Sequence, residues 1–210
     1  MPGAHGAGCN CAEEAQTLGL TAKWLNPSIA LDQAVALNVE TGDIKTVLRK
    51  TYAERLQDAL GFVATPEDDN EMLIFIPFAS PVLLQSVYII GGEGQRHPRK
   101  ARLFANPPTA ATEFSDFEDR TPEQELDVAA DLCGTYEYPL RANKFCNLQM
   151  LVVHLVADEG ADEKELYWIG LKGIPTQYRR EAVITVYESQ ANAADHKTPE
   201  EEAMEMHMMQ

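Results

Sequence analysis

The side chains able to do chemistry in this chain are few and scattered. The five histidines are His5, His97, His154, His196 and His207. No two of them stand in the His-x-His or His-x-x-x-His spacing from which zinc hydrolases and metal-dependent jelly rolls build their centres. No Gly-x-Ser-x-Gly elbow, phosphate-binding loop or dinucleotide fingerprint is present. With 33 acidic residues, carboxylate pairs can be drawn almost anywhere, and none is singled out. One local group resembles a ligand set: His5, Cys9 and Cys11, whose thiolates and imidazole could hold zinc or copper. Three ligands on a Gly-rich leader leave the set incomplete and costly to order, so the segment reads as a leader with two exposed thiols. The pair is Cys-x-Cys, unlike the Cys-x-x-Cys of a thioredoxin centre. The reading is a non-enzyme with no cofactor and no catalytic residue.

Two further histidine and cysteine positions read as structural. His154 sits in the apolar run Leu-Val-Val-His-Leu-Val and is expected to be a core or half-buried histidine with a satisfied hydrogen bond. Cys146 precedes that run and reads as a small buried hydrophobe. More distinctive is a basic cluster, Arg96, His97, Arg99, Lys100 and Arg102, which contains no acid. Four of the 17 lysines and arginines fall there, in a chain of formal net charge −16. It reads either as a docking patch for an acidic partner or as a solvated loop balancing neighbouring acids, and both readings stay open. Arg179 and Arg180 could extend it. Near the C-terminus, Met204 and Met208 are four residues apart, so a helix would put them on one face suited to adaptable docking.

The elements that must position these residues are mostly strands. Met72–Pro77, Val82–Ile90, Ala101–Ala105, Leu148–Val156, Leu166–Leu171 and Ala182–Tyr187 are rich in β-branched, aromatic and leucine side chains. They are bounded by turn formers such as Gly91-Gly92 and Asn106-Pro107-Pro108. Strand-length runs without regular helix alternation predict an antiparallel β-sandwich. Its expected core includes Leu73, Phe75, Leu84, Val87, Leu103, Val152 and Ile184. Leu48, Tyr52, Leu56 and Leu60 recur every fourth residue and predict an amphipathic helix over about 46–60. Thr198-Pro199-Glu200-Glu201 has a capping-box pattern with proline at the first helical position, which predicts a short conditional helix.

Charge and length narrow the class. At 210 residues the chain suits one all-β domain with short tails: a leader over 1–15, a domain over 16–190 and a tail over 191–210. The acidic excess disfavours nucleic acid and anionic membrane, and favours a soluble monomer. No apolar run approaches a membrane span, and residues 1–10 lack a signal-peptide pattern, so the expected location is the cytoplasm, with the nucleus open.

Several segments in order resemble one family. Glu71 to Phe78 (Glu-Met-Leu-Ile-Phe-Ile-Pro-Phe), Pro81 to Ile90, His97 to Asn106, Lys144-Phe145 with Asn147-Leu148, and Tyr167 to Gly173 resemble the strands of PITH domains. Leu37-Asn38, the Cys-x-Cys leader, Arg179 to Val183 and Ala193 to His196 belong to the same resemblance, which covers nearly the whole chain and is closest to the family's stand-alone form. The tail from Thr198 departs from it. The resemblance implies a jelly-roll sandwich similar to galactose-binding-like domains, with the 46–60 region mainly irregular. It also implies a protein-interaction function toward the proteasome, one or more of whose subunits would be the partner. The alternative that the fold suggests is a carbohydrate-like small ligand bound by loops at one end of the jelly roll.

Overall fold

The computed structural model describes residues 21–158 and 163–175. Among these residues nine strands run in chain order: β1 (Lys23–Trp24), β2 (Val35–Leu37), β3 (Val63–Ala64), β4 (Met72–Gly91), β5 (Lys100–Ala105), β6 (Gln124–Asp127), β7 (Tyr138–Pro139), β8 (Leu148–Leu155) and β9 (Glu165–Pro175). Two short α-helices among the described residues, α1 (Ile44–Arg49) and α2 (Ser115–Glu118), lie in the connections. Every strand pairing is antiparallel.

The sequence predicts two strands over 72–90, and they form one. β4 runs unbroken through Phe78–Pro81 and serves both layers of the sandwich. Its first half pairs with β2 and β8, and β8 continues to β5 and β6. Its second half pairs with β9 on one edge and β7 on the other, while β1 and β3 lie along the outer edge of β9. Register shifts between Pro77 and Val82 let the strand change layers. A second shift, between Leu84 and Ser86, changes which residues face inward. Met72, Ile74, Ile76 and Leu84 point into the core before it, and Val87 and Ile89 after it. One extra residue in a strand inverts the alternation beyond it. Leu151, Val153, Leu155, Leu103, Ile169 and Leu171 complete the interior from the facing strands.

Both outer faces also carry apolar residues. Leu73, Phe104, Val152 and Phe117 form one outer cluster, and Phe117 from α2 is fully buried in it. Phe75 belongs to this outer face and is half-buried, edge-on to Phe117 at 5.9 Å, rather than in the core as expected. Tyr88, Ile90 and Trp168 form the other outer cluster. Trp24 covers Trp168 and is itself stacked by Tyr52 at 4.9 Å. The other described residues expected in the core, Leu73, Leu84, Val87, Leu103 and Val152, are buried. Ile184, strand 182–187 and the 198–210 helix lie outside the described residues.

Helix formation in the 46–60 region stops early. Asp43 caps α1 by accepting the Lys45 amide at 2.9 Å, and Ile44, Val47 and Leu48 face the core. At Lys50 the backbone turns extended (φ −56°, ψ 129°). Its side chain passes inward, and the ammonium donates to the carbonyls of Gly61 (2.5 Å) and Tyr167 (3.0 Å). Two carbonyl bonds from a buried ammonium, with the Lys50 carbonyl accepting the Trp168 indole at 3.0 Å, outweigh further helical turns whose apolar stripe has nothing to pack on. Tyr52, Leu56 and Leu60 therefore lie on turns and a 3-10 segment, 38%, 51% and 44% exposed. Asn26 ties this region to the sandwich. Its amide donates to the Leu48 and Ile169 carbonyls and accepts the Leu171 amide.

Candidate interaction surface

Two loops meet at the end of the sandwich where β4 stops and β9 starts. Loop 51–60 follows α1, and loop 131–136 precedes β7. Arg55 joins them. Its guanidinium donates to the Cys133 carbonyl at 2.8 Å and to the Tyr52 carbonyl at 2.7 Å, and stands 3.8 Å from the centroid of the Tyr52 ring. Gly134 lies at positive φ, 62°, against Ile90 and Arg55, where a Cβ would fall 2.7 Å from Ile90 Cδ1. Only glycine meets both demands without strain.

Asp131 shapes the second loop. Its carboxylate accepts the amides of Cys133 (2.9 Å), Thr135 (2.5 Å) and Tyr136 (2.5 Å). Burial opposes its charge, but these three backbone donors more than compensate and hold its pKa below the ordinary aspartate value. Loop 131–136 is thus a preorganised turn that presents Leu132 (44% exposed) and Tyr136 (54% exposed) to solvent. Together with Tyr52, Leu56 and Leu60 they make a band of large apolar side chains on hydrogen-bonded loops. A concentration of this kind marks interaction surfaces more often than scattered exposed leucines do.

Beside the band is an open groove of about 540 Å3, lined by Asp58, Ile90, Gly91, Gly92, Glu93, Arg96, Leu132, Glu165 and Tyr167. Arg96 bridges Glu165 at 2.9 Å and Glu163 at 3.3 Å, and the Tyr167 hydroxyl donates to Glu165 at 3.3 Å. Tyr167 stacks on Phe62 with 5.0 Å between centroids. Gly91-Gly92 matters here for close approach more than as a turn. A Cβ on Gly92 would lie 2.5 Å from the Glu165 carboxylate, and one on Gly91 would strike Pro98 and sit 2.7 Å from the His97 ring.

The sequence-derived basic cluster does not form one cationic face. Arg96 turns onto Glu163 and Glu165, and Lys100 and Arg102 share Glu125 at 3.5 Å each. Arg99 is exposed and enters no ion pair among the described residues. His97 needs correction as a contact residue: it is 3% exposed. Burial holds its pKa below the usual histidine value. Arg179, Arg180, Met204, Met208, His5, Cys9 and Cys11 lie outside the described residues. Among the described residues no group of histidine, cysteine or carboxylate side chains is arranged to hold a metal, and no helix is long and apolar enough to cross a membrane.

His154 is 2% exposed, and its Nε2 pairs with Glu71 Oε1 at 2.5 Å. Cys146 is buried, and that burial raises its thiol pKa. The sequence reading missed loops 51–60 and 131–136. The signal is present in Tyr52, Leu56 and Leu60, but their spacing of four predicts an amphipathic helix rather than exposed loop positions.

The PITH domain profile matches residues 16–191. PITH domain-containing protein 1 of Xenopus laevis is 35% identical over 204 residues, covering 92% of this chain and 91% of the relative. The Mus musculus protein of the same name is 36% identical over 197 residues, covering 91% and 90%. Among solved structures, a fucolectin from striped bass serum superposes with a TM-score of 0.52 at 10% identity, over 74% of this chain and 50% of that one. This likeness places the sandwich with lectin-type jelly rolls in fold. The family profile and the full-length relatives establish that the chain belongs to the PITH domain family.

Proposed function

We propose that this chain is a non-catalytic protein-interaction module that docks a large assembly of the proteasome kind through loops 51–60 and 131–136. One observation carries the reading: Tyr52, Leu56, Leu60, Leu132 and Tyr136 stand exposed on loops held in place by Arg55, Asp131 and Gly134. Exposed apolar side chains on preorganised backbone lose little conformational entropy on docking, so more of their burial appears as affinity. The resemblance to PITH domains supports the assembly named. The basic cluster contributes less, because its charges are largely neutralised within the chain.

Purified proteasome retained on the immobilised chain, set against the Leu56→Asp/Leu132→Asp double variant, tests this. Retention by the parent and a loss of at least about tenfold in the variant is expected, given the usual cost of disrupting central apolar contacts. An unbound proteasome rejects the assembly, and equal retention by both chains rejects the surface. The carbohydrate-like alternative gains some support from the polar groups converging in the groove. Saturable binding of free galactose or fucose would favour it over the protein reading.

A further inference from the structure

We infer that Thr121 is a phosphorylation site for a proline-directed serine/threonine kinase, and that its phosphate is received by Arg120 and Arg141. The site lies between α2 and β6, outside loops 51–60 and 131–136, and does not depend on their role. Four serine or threonine residues of the chain precede proline: Thr65, Ser80, Thr121 and Thr198. Thr65 is fully buried. Ser80 is exposed but sits inside β4, between the buried Phe78 and Val82. Thr198 lies outside the described residues. Thr121 is exposed on irregular backbone, and its hydroxyl enters no hydrogen bond among the described residues. The chain around it is equally unengaged. Arg120, Thr121 and Pro122 neither donate nor accept a backbone hydrogen bond among the described residues. On either side the chain is held: the Glu118 amide donates to the Phe114 carbonyl at 3.2 Å and the Glu123 amide to the Leu103 carbonyl at 2.9 Å. A kinase grips its substrate as extended chain, and a segment with no backbone bonds to break takes that shape at little cost. Pro122 biases Thr121 toward extended backbone and has no N–H for an enzyme to satisfy.

In the transfer, Thr121 Oγ1 attacks the γ-phosphorus of ATP and the bond from that phosphorus to the β,γ-bridging oxygen breaks. ADP leaves, and the hydroxyl proton passes to the kinase's catalytic carboxylate. The new dianion has cations at hand. Arg120 is adjacent in the chain. Arg141 is anchored to Gln124, whose side chain accepts the Arg141 amide at 3.1 Å and donates to the Pro139 carbonyl at 2.9 Å. Neither guanidinium enters an ion pair among the described residues. Of the acids nearest in the chain, Glu123 is engaged by the Ala105 amide at 3.0 Å, and Glu125 by Lys100 and Arg102. Glu118 and Asp119 oppose the phosphate. Phosphate oxygens make charge-assisted bonds to guanidinium, so the modified segment is tied to the turn that follows β7.

The test treats the full chain with ATP and a purified mitogen-activated protein kinase, and locates the phosphate by tandem mass spectrometry. A synthetic peptide of residues 115–127 is the unfolded reference. Because the segment has little to break, Thr121 in the folded chain should be modified within about tenfold of the peptide's rate. No phosphate at Thr121, or labelling of the peptide alone, would overturn the site. The part played by the arginines is read by phosphorus NMR on the phosphorylated chain. Its phosphate should titrate below the ordinary value of about 6. Arg120→Gln/Arg141→Gln should move that titration up by about half a unit, as expected for exposed ion pairs. Equal titration of parent and variant would overturn the pairing.

Discussion

Two loop systems close the outer faces of this sandwich, and they finish differently. The connection carrying α2 lays Phe117 into Leu73, Phe104 and Val152, and that ring is fully buried. Its own turn is tied by Asp116, which accepts the amides of Thr112 and Glu113. Loops 51–60 and 131–136 are tied as firmly, by Arg55 and Asp131, yet leave Leu56, Leu60, Leu132 and Tyr136 largely in solvent, while Tyr52 lies half-covered between Trp24 and Arg55. Backbone order is therefore common to both regions, and what separates them is where the apolar payload points. Where it points inward the loop stabilises the fold, and where it points outward the same rigidity makes a surface ready to dock.

Phe117→Ala would break the comparison on its structural side. Removing a fully buried aromatic typically costs about 3–5 kcal/mol, so a large fall in the urea midpoint is expected. Affinity for partner per folded molecule should not change. A near-neutral midpoint would mean that the α2 loop does not close the face.

Asp131→Asn should act less strongly. Three amides lose a charged acceptor at a partly solvated site, which suggests about 1–2 kcal/mol. Because the folded-state pKa is depressed, the parent's stabilisation is fully present above the unfolded value. It is lost as pH falls from about 4 through the lower folded value. The variant should lack that part of the acid transition, and amide exchange at Thr135 and Tyr136 should speed up. Identical acid limbs for the two chains would show that Asp131 does not hold the loop.

A smaller effect is expected from His97, which buttresses Gly91 at the groove. Its depressed folded pKa means that the unfolded chain takes up the proton first. Stability should therefore decline as pH falls below about 6.5 and on through the folded value. His97→Leu should flatten this part of the curve, read as melting temperature between neutral and mildly acidic pH. Parallel curves for parent and variant would remove His97 from the explanation. The smallest stability change belongs to Leu56→Asp. An exposed substitution of this kind usually shifts stability by less than about 0.5 kcal/mol, while partner retention falls. A large stability loss would mean that Leu56 supports the fold rather than the surface.

Much of the fold was legible in the chain itself. β-branched and aromatic runs bounded by glycine and proline located β4, β5, β8 and β9, because side chains alternate in strands whatever they pack against. The same local rule misjudged Phe75, since a strand with apolar residues on both faces does not say which face is the core. It also merged Leu48 with Tyr52, Leu56 and Leu60. Spacing of four is necessary for an inward helix face but does not supply a neighbour to bury it.

What the sequence by itself determined, then, is strand content, antiparallel class, the acidic balance and the family resemblance. Each of these is written in local pattern or in composition. The tertiary structure decided whether a charge or an apolar side chain is left over. Arg96 looked like the start of a cationic patch until folding brought Glu165, 69 residues away, within 2.9 Å. Lys50 ends a helix where its ammonium reaches two carbonyls, one on Gly61 and the other on Tyr167, 117 residues on. Free surface is what remains after all such distant pairings are made, so no window of sequence short enough to show a pattern contains it.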